Sequence, residues 1–253
     1  MNEFASMYKQ RDHHYWTFIN NLLDSKKISI EFVLKNYMAF IQRKDLGQLL
    51  AYYELFKLVK DLPGSIAEVG VFAGNGLFTW SKLLDTFIPT NTGKKIFGFD
   101  NFKGYTQALT DKDFKAVKYI KGLIGNFVFD PKIVEELIKH NNFDQVIAGI
   151  ERVKLYNDEL DIGFEKFKKE NIGIRFSLVL IDVNLYNPTK WALNNFYELV
   201  VPGGIVALRG YGVKPWEGES LAVDEFLKDK KINELKSFNF SNYPSVFFRK
   251  FHD

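Results

Sequence analysis

From residue 65 to residue 208, short apolar runs alternate with amphipathic stretches, and no other feature restricts the possible folds as strongly. The runs at 66–70, 95–99, 152–156, 176–181 and 205–208 have strand length. The stretches at about 75–88, 131–141, 158–170 and 188–200 carry helical spacing. Buried strands alternating with helices imply a parallel sheet covered on both faces. A further helix near 219–230 leads into apolar runs at 234–240 and 245–250. Only Ser241-Asn-Tyr-Pro244 separates these two runs, so they form a hairpin and one of them runs antiparallel. The expectation is an α/β, doubly wound, mostly parallel seven-stranded sheet with a terminal antiparallel hairpin.

Residues 4–62 read as helices. Ile30, Val33, Leu34, Tyr37, Met38 and Ile41 recur at three-and-four spacing, as do Leu46, Leu49, Leu50, Tyr53, Phe56 and Val59. The expected division is a helical extension or lid over 1–62 and a ligand-binding domain over 63–253.

Composition narrows the function. The net charge of +3 is small and evenly spread, which argues against nucleic acid as the main partner. With no cysteine, neither a thiol nucleophile nor a thiolate metal site is available. No apolar run approaches membrane-spanning length. Met1-Asn-Glu-Phe-Ala5 has neither the basic nor the apolar part of a secretion signal. The expected location is the cytoplasm, with no membrane partner and with a homo-oligomer possible. The 25 Phe and 12 Tyr occupy positions where many proteins place Leu or Val.

Open parallel sheets bind ligands at the carboxyl ends of their strands. Those ends carry Glu68 and Gly70, Asp100, Asn157-Asp158, Asp182, and Arg209. The first runs into Ala67-Glu-Val-Gly-Val-Phe-Ala-Gly-Asn-Gly76. Gly70, Gly74 and Gly76 have no Cβ, so a ligand can approach the backbone closely. The spacing G-x-x-x-G-x-G is neither the dinucleotide fingerprint nor a P-loop, and no Ser-Tyr-Lys signature is present, which disfavours an NAD-linked oxidoreductase. Asp100 stands where a carboxylate accepts hydrogen bonds from both hydroxyls of a ribose. Loop and acid together describe a nucleoside with a small charged tail.

Five segments then occur in order across residues 45–250: Glu68-Val-Gly-Val-Phe-Ala-Gly74, Phe99-Asp-Asn-Phe-Lys-Gly104, Leu180-Ile-Asp-Val-Asn-Leu-Tyr186 with Thr189-Lys190, Pro202-Gly-Gly204, and Ala222-Val-Asp-Glu-Phe226. This series resembles the macrocin O-methyltransferase (TylF/MycF-type) family, which uses S-adenosylmethionine and commonly methylates sugar hydroxyls. The resemblance implies a class I methyltransferase-like Rossmann fold, S-adenosylmethionine as cofactor and a small polar metabolite as acceptor. By the same resemblance Gly70, Gly74 and Asn75 admit the cofactor, and Glu68 fixes the loop or the ammonium group. Asp100 holds the ribose, Phe72 or Phe102 packs on the adenine or sulfonium, Asn157 meets the adenine edge, and Asp182 completes the set.

The chain also departs from that family. Metal-dependent members read Asp-Gly-Asp-Leu-Tyr and Asp-Asp-Tyr at the two positions where this chain has Asp182-Val-Asn-Leu-Tyr186 and Leu208-Arg-Gly-Tyr211. Mg²⁺ needs oxygen ligands, usually including carboxylates, so no metal is expected. Three consequences stay open. A protein base takes a hydroxyl proton: Asp182, Tyr186, Tyr211, or a histidine of Asp12-His-His-Tyr15. Alternatively the acceptor is an amine or acidic oxygen needing only positioning, with Arg209 pairing to a carboxylate, phosphate or sugar acid. Or the protein keeps the ligand and has lost catalysis. His13 and His14 are adjacent on a helix and point apart, so they do not form an i, i+4 metal pair.

Overall fold

The computed structural model describes residues 3–105, 110–116, 118 and 128–251, with side chains from residue 10 onward. The chain divides into two compact units, residues 1–46 and 47–253. The first holds helices α1 (Glu3–Lys26) and α2 (Ile30–Lys35), a 3-10 turn at Tyr37–Ala39, and the start of α3 (Arg43–Val59). Ser29 caps α2 by accepting the Phe32 N–H. The buried residues of α3 are Gly47, Ala51, Tyr52, Leu55, Phe56 and Val59, all in the part of the helix that belongs to the second unit.

The second unit contains a six-stranded sheet: β1 (Ser65–Val69), β2 (Ile96–Phe99), β3 (Val153–Tyr156), β4 (Phe176–Ile181), β5 (Val200–Leu208) and β6 (Val246–Arg249). Its order is β3-β2-β1-β4-β5-β6. The first five strands are mutually parallel and β6 runs antiparallel to β5. Helices α4 (Asn75–Phe87), α5 (Pro131–Phe143), α6 (Leu160–Glu170), α7 (Tyr186–Phe196) and α8 (Glu217–Asp229) connect or flank them. The chain reverses its progress across the sheet between β1 and β4, and the crevice outside their carboxyl ends is the topological binding position.

Period-two alternation sends neighbouring residues to opposite cores. Ala67, Val69, Phe97 and Phe99 join one core with Phe164, Phe167, Phe176 and Phe196. Ile66 and Ile96 join the other with Leu55, Phe56, Leu77 and Trp80. The phenylalanine excess has its place on the first face. Phe97 meets Phe167 edge-on at 5.0 Å, and Phe167 stacks on Phe176 at 5.3 Å. Such pairs add roughly 0.5–1.5 kcal/mol beyond area burial.

Two sequence expectations need correction. The run at 234–240 is not a seventh strand: it touches the sheet through one antiparallel bridge, Lys236 to Phe247. The ladder stops because Phe238 lays its ring on Phe247 and on Phe240, while Ser241 N–H turns back to the Phe238 carbonyl. The aromatic pattern that suggested a strand thus serves a compact fold of the chain. Strand β5 is also longer than 205–208. It starts at Val200 and carries Pro202-Gly203-Gly204 within it, where the register against β4 shifts. Proline and glycine in a strand mark such irregularities.

Candidate active site

Three strand ends share one device. The third residue after β1, β2 and β4 lies in the left-handed region: Phe72 at φ 50°, Phe102 at φ 55° and Asn184 at φ 57°. For a bulky side chain this conformation is costly, and such residues gather where a backbone is shaped for function. The three turns frame a cavity of about 800 Å³ lined by Gly70, Phe72, Asp100, Asn101, Tyr105, Asp158, Glu159, Asp161, Asp182, Asn184, Trp191, Arg209, Trp216 and Tyr243, among others. Small-molecule sites span roughly 300–1,000 Å³.

The glycine loop is built from beneath and from the side. Gly70 sits at φ 93°, donates its N–H to the Phe99 carbonyl, and lies against the backbone of Asp182, where any Cβ would overlap the carbonyl. Gly76 lies against the carboxyl of Glu68 in the same way. Glu68 is buried and takes hydrogen bonds from the Trp80 indole at 2.9 Å and the Leu77 N–H. Burial, and then the charge of Asp182, pushes its carboxyl well above the usual carboxylate range. Glu68 therefore seats the first turn of α4 and does not line the cavity.

Asp100 closes the loop from the neighbouring strand. One oxygen, Oδ2, accepts the N–H groups of Val71 (2.7 Å) and Phe72 (2.8 Å), and Oδ1 accepts that of Phe102 (2.7 Å). The carboxylate lines the cavity, and Oδ1 keeps one acceptor position for a further donor.

At the other end of the cavity Asp182 is held from two sides. Arg209 Nη1 donates to Oδ2 at 2.6 Å, and Asn184 Nδ2 donates to Oδ1 at 3.2 Å. Asn184 also donates to the Tyr105 hydroxyl at 2.9 Å. Burial and the charge of Asp182 raise the Tyr105 phenol above its ordinary range. The guanidinium of Arg209 lies 4.7 Å from the Tyr243 ring centre. Behind the Arg209-Gly210 turn, Glu219 is fully buried. Its Oε1 accepts the Gly210 N–H at 2.7 Å, the Asn184 backbone N–H lies nearby, and its Oε2 makes no full hydrogen bond among the described residues. Desolvation, reinforced by Asp182, raises this carboxyl to about 8.

The other residues expected from sequence lie elsewhere. Gly74, at φ 86°, and Asn75 form the start of α4 without lining the cavity, and a Cβ on Gly74 would strike the Phe78 ring. Phe102 is buried in the second core. Asn157 is exposed beside the cavity-lining Asp158. The Tyr186 hydroxyl donates to Glu225 and the Tyr211 hydroxyl to Asp224, and neither ring lines the cavity. His13 and His14 are exposed on α1 in the first unit. Sequence reasoning missed Glu219, Tyr105, Trp216 and Tyr243. Glu219 reads as an ordinary acid in the first turn of a helix, and only its burial distinguishes it.

The doubly wound sheet with a glycine loop after β1 and an acid after β2 agrees with the S-adenosylmethionine-dependent methyltransferase class, which the family match shows. More narrowly, the chain belongs to the macrocin O-methyltransferase (TylF) family, which matches residues 37–250. Among solved structures it is similar to CalS11, a calicheamicin methyltransferase, with 25% identity, a TM-score of 0.82, and coverage of 94% of this chain and 92% of that one. The apo structure of the same enzyme, a TDP-rhamnose 3'-O-methyltransferase, gives 24% identity and a TM-score of 0.76, covering 94% of each chain. The O-methyltransferase NovP shares the fold at 19% identity and a TM-score of 0.60, over 83% of this chain and 80% of that one. No curated protein matches the chain. No helix among the described residues is long and apolar enough to cross a membrane.

Proposed function

We propose that this enzyme transfers a methyl group from S-adenosylmethionine to a hydroxyl of a sugar or sugar nucleotide, with Asp182 as the proton acceptor and without a metal. The observation that carries the reading is Asp182 at the end of β4, lining the cavity and held by Arg209 and Asn184.

The cavity residues fit the cofactor. Its volume suffices, the Gly70 loop brings backbone close to a ligand, and the free position on Asp100 Oδ1 suits a ribose hydroxyl. Asp161 lines the same cavity beside Asn101 and Trp191 and suits the adenosyl portion. When bound, S-adenosylmethionine supplies a methyl group activated by the sulfonium charge. Asp182 orients an acceptor hydroxyl and takes its proton; Asn184 and Arg209 fix the carboxylate so that its geometry is set before the acceptor arrives.

A family-type Mg²⁺ does not fit these donors. Both oxygens of Asp182 already receive N–H donors, Asn184 presents its amide nitrogen to that carboxylate, and a guanidinium occupies the neighbouring strand end. A hard dication needs several oxygen ligands there. The supporting comparison is CalS11, which acts on TDP-rhamnose.

Calorimetric titration with S-adenosylhomocysteine, followed by a methylation assay on a panel of sugars and nucleotide sugars, tests the reading. Binding is expected, and turnover is expected to survive excess EDTA. Loss of turnover on chelation with recovery on adding Mg²⁺ would refute the metal-free mechanism.

A further inference from the structure

We infer that Arg209 selects the acceptor, and that the acceptor carries an anionic group, a carboxylate or a phosphate, near the hydroxyl that is methylated. The inference rests on the methyl-transfer reading above and names the substrate class of the same cavity.

Among the described lining residues Arg209 is the single cation, against the carboxylates Asp100, Asp158, Glu159, Asp161 and Asp182. Four of those acids are committed, Asp182 to Arg209 and Asn184 as described above. Asp100 accepts backbone N–H groups, Asp158 pairs with Lys166 at 2.6 Å, and Glu159 pairs with Lys103 at 3.0 Å. Arg209 is committed far less. Its side chain makes one hydrogen bond, to Asp182, and remains 34% exposed. Among the described residues the other guanidinium N–H donors have no partner, in a side chain that lines the cavity.

The guanidinium is nevertheless fixed. Asp182 holds one edge, and the Tyr243 ring covers a face at 4.7 Å. A charged planar fork, immobilised and with spare donors, matches the paired oxygens of a carboxylate or phosphate. Tyr105 and Trp216, with ring centres 5.9 Å apart, line the same cavity. A neutral sugar would leave the unspent donors of Arg209 without an anionic partner. An acidic sugar or a nucleotide-linked sugar satisfies them.

The test is calorimetric titration of the S-adenosylhomocysteine-loaded protein with glucuronate, thymidine diphosphate-rhamnose and rhamnose. At least one anionic probe is expected to bind about tenfold or more tighter than rhamnose, since hydrogen bonds to charged groups are the stronger ones. A response to glucuronate alone identifies a carboxylate; a response to the nucleotide sugar alone identifies a phosphate. Arg209→Gln is expected to erase that margin while the affinity for S-adenosylhomocysteine stays within about threefold. Arg209→Lys keeps a cation beside Asp182, controls for folding, and is expected to retain part of the margin. Three results overturn the inference: rhamnose binding as tightly as both anions, an undiminished margin in Arg209→Gln, or a parallel loss of S-adenosylhomocysteine affinity. The last would assign Arg209 to the cofactor's carboxylate. Failure of the wild-type protein to bind S-adenosylhomocysteine defeats the methyl-transfer reading instead. In that case the anion titrations, run on the protein alone, still read Arg209.

Discussion

At the amino ends of the parallel strands, Lys94 turns its ammonium into the protein and spends it completely. Its Nζ donates to the carbonyls of Val59 (3.1 Å) and Leu62 (2.9 Å) and to Ser177 Oγ (2.8 Å). At the carboxyl ends, Arg209 makes one side-chain hydrogen bond among the described residues and keeps the rest of its fork for a ligand. Glu219 beside it has an oxygen with no full hydrogen bond among the described residues, and Asn184 takes a left-handed backbone. Both ends bury polar groups, yet only one satisfies them internally. An ammonium has three donors, and Lys94 has three acceptors, so no ligand is called for. The difference separates a polar group that holds the fold from one kept ready for something that binds.

The sharpest way to break this comparison is to substitute at each end and read both activity and stability. Asp182→Asn removes the proposed base and keeps its shape. Turnover is expected to fall ~10²-fold or more, with the protein still folded. Full activity in a methylation assay would remove Asp182 from the chemistry.

Lys94→Met is the counterpart at the other end. It strips a donor from three buried acceptors and is expected to cost about 3 kcal/mol, lowering the melting temperature by roughly 6–12 °C. Turnover per folded molecule should not change. A loss of turnover without a loss of stability would show that the two ends are not separable in the way described.

Gly70→Ala tests the loop that joins the cavity to the sheet. A Cβ there would overlap the Asp182 carbonyl, so either the loop or Asp182 must move. We expect S-adenosylhomocysteine affinity to drop by about tenfold, measured by calorimetry. Unchanged affinity would place the ligand away from this loop.

The remaining effect is one of pH and concerns Glu219. Its folded-state value of about 8 lies above that of an unfolded-chain glutamate, so the folded state retains a proton that the unfolded state has lost. Stability therefore falls as pH rises from the ordinary carboxylate range to about 8, and the penalty is complete above that. Glu219→Gln removes the titrating group. Its melting temperature is expected to exceed that of the wild type by a margin that grows over this window and levels off above it. A margin independent of pH would mean that Glu219 is ionised throughout.

Much of the fold was legible because apolar periodicity reports burial directly. The runs at 66–70, 95–99 and 176–181 correspond to β1, β2 and β4, and the helices between them begin within a few residues of expectation. The loop glycines and Asp100 were legible for a related reason: a missing Cβ and a strand-end acid restrict local backbone and hydrogen bonding wherever they occur. The pattern misled at 234–240, where Phe238 and Phe240 are apolar for the sake of stacking on Phe247 and on each other.

What the sequence by itself determined is the doubly wound sheet, the family, and the loss of the paired acids around Arg209, all of which depend on residue type and order. Only the tertiary structure decided where each side chain spends its hydrogen bonds. Tyr186 and Tyr211 stood in the right segments, yet α7 and the β5–α8 connection turn their hydroxyls to Glu225 and Asp224. Asp100 proved to be the clamp of the glycine loop, and Glu219 a buried acid behind the site. Type and order limit what a polar group can donate or accept. Its partners come from distant strands and helices, so their identity is a property of the packed chain.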